Sequence, residues 1–156
     1  MFASPLPRAR ETALILSQYL RCKIIFDGRL AERRCGFPPG TTCVQSRNLQ
    51  DSSFTDPTYA PPGGESIAEH RARVSEFLES VLQGAIGSNQ AMSIVAHGGT
   101  IEHVHGCLMG TPVEAMSKSF TSCGTASYNL WTRLIAGDGR EVWRLDGVDL
   151  RPIQGP

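Results

Sequence analysis

Residues 91–100 constrain this chain most. Ala91-Met92-Ser93-Ile94-Val95-Ala96 is nearly all apolar and runs directly into His97-Gly98-Gly99-Thr100. A short apolar run that does not alternate reads as a strand buried on both faces, as in a parallel sheet covered by helices. Ile101, Val104 and Leu108 then recur at spacings of three and four, which predicts a helix closed by Gly110. In open α/β sheets, ligands bind where a strand ends and a helix begins, because helix N-termini offer free N–H groups and a partial positive charge.

The rest of the chain supplies matching elements. Leu6, Ala9, Ala13, Leu16 and Leu20 lay an apolar stripe along a first helix, with Pro7 in the first turn, where its missing N–H has no partner anyway. Cys22 to Phe26 predicts a short strand ended by the turn pair Asp27-Gly28. Ser66-Ile67-Ala68-Glu69 has the form of a capping box. It opens a helix with Val74, Phe77, Leu78, Val81 and Leu82 inward, stopping near Gly84 or Gly87. Thr111-Pro112-Val113-Glu114 has the same form, with proline at the first helical position. Ala126, Tyr128, Leu130 and Thr132 alternate with Ser127, Asn129, Trp131 and Arg133. Gly137-Asp138-Gly139 then turns this strand into Glu141 to Leu145, an antiparallel hairpin.

The expected fold class is α/β: one three-layer α/β/α domain over residues 1–156, with a mostly parallel sheet and an antiparallel edge. Residues 146–156 are expected to form a flexible tail. Residues 30–64 lack periodicity, contain Pro38-Pro39-Gly40 and Pro61-Pro62-Gly63-Gly64, and are long for a structural connection. They are the candidate substrate-covering segment.

Composition excludes several classes. Fifteen basic side chains balance 15 acidic ones, which argues against non-specific binding to nucleic acid or an anionic membrane. No apolar run approaches the roughly 18 residues of a membrane span, and the N-terminus lacks the apolar core of a signal peptide. A cytoplasmic protein with neither nucleic-acid nor membrane partners is expected. Cys22, Cys35, Cys43, Cys107 and Cys123 are odd in number, scattered and free of C-x-x-C pairs, and so read as reduced, mostly buried thiols.

Two strand-to-helix turns carry chemistry. Phe2-Ala3-Ser4-Pro5-Leu6-Pro7-Arg8 places Ser4 and Arg8 near one, and Ile94 to Gly99 places His97 at the other. Arginine offers a planar fork matched to phosphate oxygens. Alone, an arginine in a first helical turn is commonly solvated, and a histidine at a strand end is commonly structural. With Glu32, in Leu30-Ala31-Glu32-Arg33-Arg34-Cys35-Gly36, the combination suits a phosphate-bearing ligand. The rival drawing is a zinc site from His97, His103 and His105, with Cys107 nearby. His103 and His105 stand two apart on a predicted helix, about 200° around it, and so face different sides.

Ser4-Pro5-Leu6-Pro7-Arg8-Ala9-Arg10-Glu11-Thr12-Ala13 resembles the S-x-L-x-R-A-x-x-T-A segment of the histidine phosphatase superfamily, which includes the phosphoglycerate mutases. Leu30, Glu32, Gly36 and Gly40 are similar to its L-x-E-x-x-x-G-x-x-x-G segment. Pro62, Gly64, Glu65 and Ser66 match its P-x-G-E-S helix start, and Ser93 to Gly99 its strand ending in H-G-G. The resemblance implies that Arg8 clamps phosphate, that Ser4, Gly98 and Gly99 contact the substrate, and that Glu32 protonates the leaving oxygen. It implies that His97 contacts the phosphoryl group in flight. Glu65 and Ser66 read as structural, because the capping box explains them. Only residues 41–63 separate the second and third segments, where mutases carry a long insertion. This leans toward phosphatases that act on a small phosphorylated metabolite without metal or cofactor. Arg33, Arg34 and Arg47 are candidates to help hold an acidic substrate.

The family begins with a strand ending in R-H-G, whose histidine is the nucleophile. This chain contains no Arg-His-Gly, and His70 lies inside a predicted helix. The resemblance implies a strand-loop-helix unit of roughly thirty residues upstream of Ser4, with its strand central in the sheet. Three expectations follow: a truncated or misassigned phosphatase, impaired as it stands; a non-catalytic phosphate-ester binding or regulatory module; or a sheet completed by a segment of another chain. Mutase activity and a histidine metal site are the remaining alternatives.

Overall fold

The computed structural model of the chain describes residues 1–36, 55–84, 91–117 and 123–151. Its elements, in order, are β1 (Phe2–Ala3), α1 (Pro7–Leu20), β2 (Ile25–Phe26), a 3-10 turn (Gly28–Leu30), α2 (Ile67–Gly84) and β3 (Ile94–Val95). Then come α3 (Gly98–Leu108), a second 3-10 turn (Val113–Ser117), β4 (Tyr128–Ile135) and β5 (Glu141–Leu150). β2, β1 and β3 pair in that order, all parallel, with Phe2 opposite Ile25 on one side and Ile94 on the other. The β1-α1-β2 connection steps one way along the sheet, and β2-α2-β3 steps back across β1. Right-handed crossovers running in opposite directions put α1 on one face and α2 on the other, which gives the three layers.

The core lies under α2. Its capping box forms as the sequence predicts: Glu69 N–H donates to Ser66 Oγ at 3.0 Å, and Glu69 Oε2 accepts the Ser66 N–H at 2.8 Å. Val74, Phe77 and Leu78 join Leu30 and Val104 in one buried cluster, edged by Phe2, Ile94, Val81 and Leu82. The Phe2 ring meets Phe77 edge-on at 5.3 Å, coupling the central strand to α2.

Several expectations are corrected. Ala9 and Ala13 are buried, but Leu16 and Leu20 are 39% and 55% exposed. A 14-residue helix is about 21 Å long, whereas a two-residue strand spans about 7 Å. The second half of α1 therefore overhangs the sheet. β3 is half-buried rather than fully buried, because among the described residues only β1 pairs with it. Thr111 to Glu114 opens a five-residue 3-10 turn, not an α-helix. The hairpin forms its own two-stranded sheet instead of an edge of the parallel one. The His105 ring of α3, edge-on to Trp131 at 5.3 Å, ties it to the domain. β5 continues to Leu150, opposite Tyr128, so its pairing extends into the segment expected to be a tail. Residues 152–156, Gly40, Cys43, Arg47 and Gly87 lie outside the described residues, as does most of the candidate covering segment. The four described cysteines are free and half-buried. Among the described residues no helix is long and apolar enough to cross a membrane.

Candidate active site

The strand order β2-β1-β3 reverses direction at β1. The crevice outside the carboxyl ends of β1 and β3 is thus a topological switch point, where open α/β sheets bind ligands. Ser4 follows β1 and His97 follows β3, so parallel pairing brings together two residues 93 positions apart. His97 Nε2 lies 2.8 Å from Ser4 Oγ, and both residues are buried. The Ser4 amide donates to the Val95 carbonyl at 2.9 Å, and its hydroxyl accepts the Leu6 N–H at 3.3 Å. The direction of the bond between that hydroxyl and Nε2 follows the tautomer of the imidazole. Burial pushes His97 below the usual histidine range; the positive charge of Arg8 adds to the shift and Glu32 opposes it.

Glu32 reaches the same place from another direction. Asp27 caps the 3-10 turn by accepting the Arg29 N–H at 2.8 Å, and the chain then passes the N-terminus of α3. Glu32 Oε2 accepts the Gly99 N–H at 3.2 Å, and Oε1 accepts the Arg33 N–H at 2.9 Å. An anion in the first turn of a helix is favoured by the free N–H groups and by the helix dipole. A Cβ at position 99 would stand 2.6 Å from Glu32 Oε1, so a larger residue there would displace the Glu32 carboxylate. Gly98 differs: a Cβ there would meet nothing within 4 Å. Of the two candidate glycines, Gly99 holds Glu32 and Gly98 faces open space. Arg8, second in α1, is exposed; its guanidinium makes no hydrogen bond or ion pair among the described residues.

Arg73 of α2, which the motifs did not single out, holds the Glu32 loop in place. It grips the buried Glu65 with two bonds of 2.7 and 2.9 Å and donates to the carbonyls of Arg29 and Ala31 at 2.7 and 2.8 Å. Burial raises the Glu65 carboxyl, but Arg73 outweighs it and holds the group below the usual carboxylate range. Arg33 donates to the Glu65 carbonyl at 3.2 Å and the Arg34 N–H to Glu65 Oε2 at 3.5 Å. Glu65 is thus a structural anchor as well as part of a helix start. Gly36, at φ +68°, packs backbone against backbone, and a Cβ there would lie 2.5 Å from the Pro62 carbonyl oxygen.

A second carboxyl went unnoticed in the sequence. Glu102 lies one turn beyond Gly99 on the same face of α3. It is half-buried; burial, with the charge of Glu32 second, pushes its carboxyl up to about 7. Its signal was the spacing of three from Gly99. The histidines of the zinc drawing diverge: His103 packs on the His70 ring at 4.4 Å, while His105 turns to Trp131. No three His, Cys, Asp or Glu side chains among the described residues are grouped to hold a metal ion.

The chain is similar to known phosphatases. The fructose-2,6-bisphosphatase TIGAR of Xenopus tropicalis is 34% identical over 84 residues, covering 51% of this chain and 30% of that protein. A glucosyl-3-phosphoglycerate phosphatase of Mycobacterium tuberculosis is 32% identical over 160 aligned positions, covering 92% of this chain and 70% of that one. A solved structure of the mycobacterial glucosyl-3-phosphoglycerate phosphatase with VO3 superposes with a TM-score of 0.77 at 26% identity, covering 96% of this chain and 75% of that chain. The chain spans 30 to 57% of the length of several relatives that it matches. The sequence profile of the histidine phosphatase superfamily (branch 1) matches residues 1–142, and the chain belongs to that family.

Proposed function

We propose that this chain carries the phosphate pocket of a phosphomonoester hydrolase acting on a small phosphorylated metabolite, and that the 156 residues alone bind phosphate without covalent turnover. The observation that carries the reading is the buried contact between His97 Nε2 and Ser4 Oγ at the switch point, with Glu32 alongside and the charge of Arg8 acting on His97. In the full reaction a histidine nitrogen attacks phosphorus, the ester P–O bond breaks, and the leaving oxygen takes a proton from Glu32. Water then attacks phosphorus, gives a proton to the Glu32 carboxylate and breaks the N–P bond, which returns the histidine and the acid to their starting states. Arg8 and the α3 N-terminus stabilise charge on the transferring oxygens. The attacking histidine belongs to the R-H-G segment, which these residues do not contain. The named activities of the relatives, on fructose 2,6-bisphosphate and glucosyl-3-phosphoglycerate, favour hydrolysis over mutase chemistry and support a sugar-phosphate-sized substrate.

Two assays test this. Calorimetry with inorganic phosphate should detect binding by the 156-residue chain, lost in Arg8→Ala. Hydrolysis of p-nitrophenyl phosphate should be undetectable for this chain and present when a homologous strand bearing R-H-G is fused upstream. Phosphate binding that ignores Arg8, or a fused chain that is folded and inactive, refutes the reading.

A further inference from the structure

We propose that His97 Nδ1 is a phosphoryl-group acceptor, and that the crevice of this chain transfers one phosphoryl group to it from a small acyl phosphate. The inference rests on the phosphate-pocket reading and deepens it, since it gives the pocket a covalent ligand of its own. Its basis is how the ring is held. Nε2 is fastened to Ser4 Oγ at 2.8 Å, with both residues buried, so one nitrogen fixes the ring at the switch point. Nδ1 makes no hydrogen bond among the described residues. The histidine nitrogens buried there without a partner belong to His103 and His105, not to His97. The neighbouring Gly98 faces open space, where a Cβ would meet nothing within 4 Å. The other three histidines are committed elsewhere. His70 Nε2 pairs with Thr100 Oγ1, His103 meets the His70 ring edge-on, and His105 packs on Trp131. His97 is therefore the histidine of the crevice, anchored at one nitrogen and open at the other, as a nucleophile needs to be.

The tautomer that donates from Nε2 to Ser4 Oγ leaves the lone pair on Nδ1. Ser4 Oγ takes this bond beside the one from the Leu6 N–H, because a hydroxyl oxygen accepts two. Burial, with the charge of Arg8 second, holds His97 below the usual histidine range, so the lone pair is free at neutral pH. In the step itself the Nδ1 lone pair forms the N–P bond. The bond from phosphorus to the acyl oxygen breaks, and the carboxylate leaves as an anion with that electron pair. This leaving group needs no proton, whereas the alkoxide of a phosphomonoester takes one from Glu32. The Nε2 proton stays on the ring against Ser4 Oγ, so the positive ring offsets part of the new phosphoryl charge. An acyl phosphate is thus the donor class that this histidine can use alone, and ester turnover stays with the R-H-G histidine.

Acetyl phosphate is the probe. Intact-mass spectrometry of the 156-residue chain should show one added phosphoryl group, lost in mild acid and kept in alkali. Phosphorus NMR should place it on a ring Nδ1, and tandem mass spectrometry of the wild type should locate it at His97 without recourse to any variant. His97→Gln, checked for folding by circular dichroism, should take up none. Arg8→Ala should slow the labelling about tenfold, the value of one charge-assisted contact, and excess inorganic phosphate should slow it by competition. An unlabelled wild type, an adduct on Nε2 or on another side chain, or labelling that survives in folded His97→Gln overturns the proposal. If the unlabelled chain still binds phosphate through Arg8, the acceptor role alone fails. Labelling of His97 that neither phosphate nor Arg8→Ala slows overturns the phosphate-pocket reading, and delivery by the crevice with it.

Discussion

His70 and His103 make this fold sensitive to mild acid, and the size of the effect follows from their setting. They are 1% and 3% exposed, and their rings meet edge-on at 4.4 Å. Thr100 gives its hydroxyl proton to the Ala31 carbonyl at 3.1 Å, so His70 Nε2, 3.2 Å away, is the donor of its pair. His103 Nδ1 is buried without a hydrogen-bond partner among the described residues. Burial first, then the neighbouring positive charges, push His70 down to about 2 and His103 to about 4. Both folded values lie below the 6.5 of a free histidine, so below pH 6.5 the unfolded chain takes up protons that the folded one refuses, and stability falls as pH falls. At pH 5, 1.5 units below that value, each ring contributes a loss of about 2 kcal/mol relative to neutral pH, about 4 for the pair. That is a large part of a typical domain stability of about 5–15 kcal/mol. Urea unfolding at pH 7.5 and 5.0, followed by tryptophan fluorescence, measures it. In His103→Gln the loss between the two pH values should shrink by about 2 kcal/mol. His97 and His105 shift in the same direction, which is why the variant difference rather than the total is the test. An unchanged pH-dependent loss in His103→Gln refutes the reasoning, whatever the variant does to stability at pH 7.5.

Two further outcomes test the scaffold of the site. Arg73→Ala strands the buried Glu65 and frees two loop carbonyls, and should cost about 3–5 kcal/mol in denaturant unfolding; a loss below 1 kcal/mol would show that Glu65 is not held by this pair. Gly36→Ala must adopt φ near +68° and push Pro62 and Gly64 backbone aside, so it should destabilise by more than about 2 kcal/mol; a neutral effect on thermal unfolding would mean that the two loops do not press together there.

What was legible in the sequence was whatever short range dictates. The capping box at Ser66 is four consecutive residues bonding to one another, and it forms as written. The apolar face of α2 needs only helical periodicity, and Val74, Phe77 and Leu78 are the core. The outward half of α1 was not legible, because the length of the sheet beneath a helix is set by pairing partners elsewhere in the chain. β5 was read short because its last residues gain order from β4 across the ladder, Gly147 from Leu130 and Leu150 from Tyr128. In the site, Ser4 and His97 were singled out by their turns, but their meeting depends on β1 and β3 being parallel neighbours, which no local signal encodes. Arg73 was missed for the same reason: a helix arginine reads as solvated until the loop it grips is folded against it.

The charge count takes on a local meaning once these positions are known. Fifteen basic residues against 15 acidic leave no net field to draw an anion in. Several arginines near the crevice are already engaged: Arg73 with Glu65, Arg71 with the carbonyls of His103 and Thr111, and Arg33 with the Glu65 carbonyl. Their charge is part of the scaffold, and it adds to burial in holding His70 and His103 below the usual histidine range. The N–H of Gly99 is likewise engaged, by Glu32. Positive charge for a ligand is then best supplied by a side chain placed where a helix begins at the switch point and without a partner among the described residues, and Arg8 meets both conditions. Arg8→Ala and Arg8→Lys separate its two contributions. The lysine keeps the charge but not the planar fork, so it restores long-range attraction without bidentate recognition. Phosphate affinity should rank wild type, then lysine, then alanine. Lysine equal to wild type would mean that charge alone recruits the ligand and that no fork-shaped contact is made.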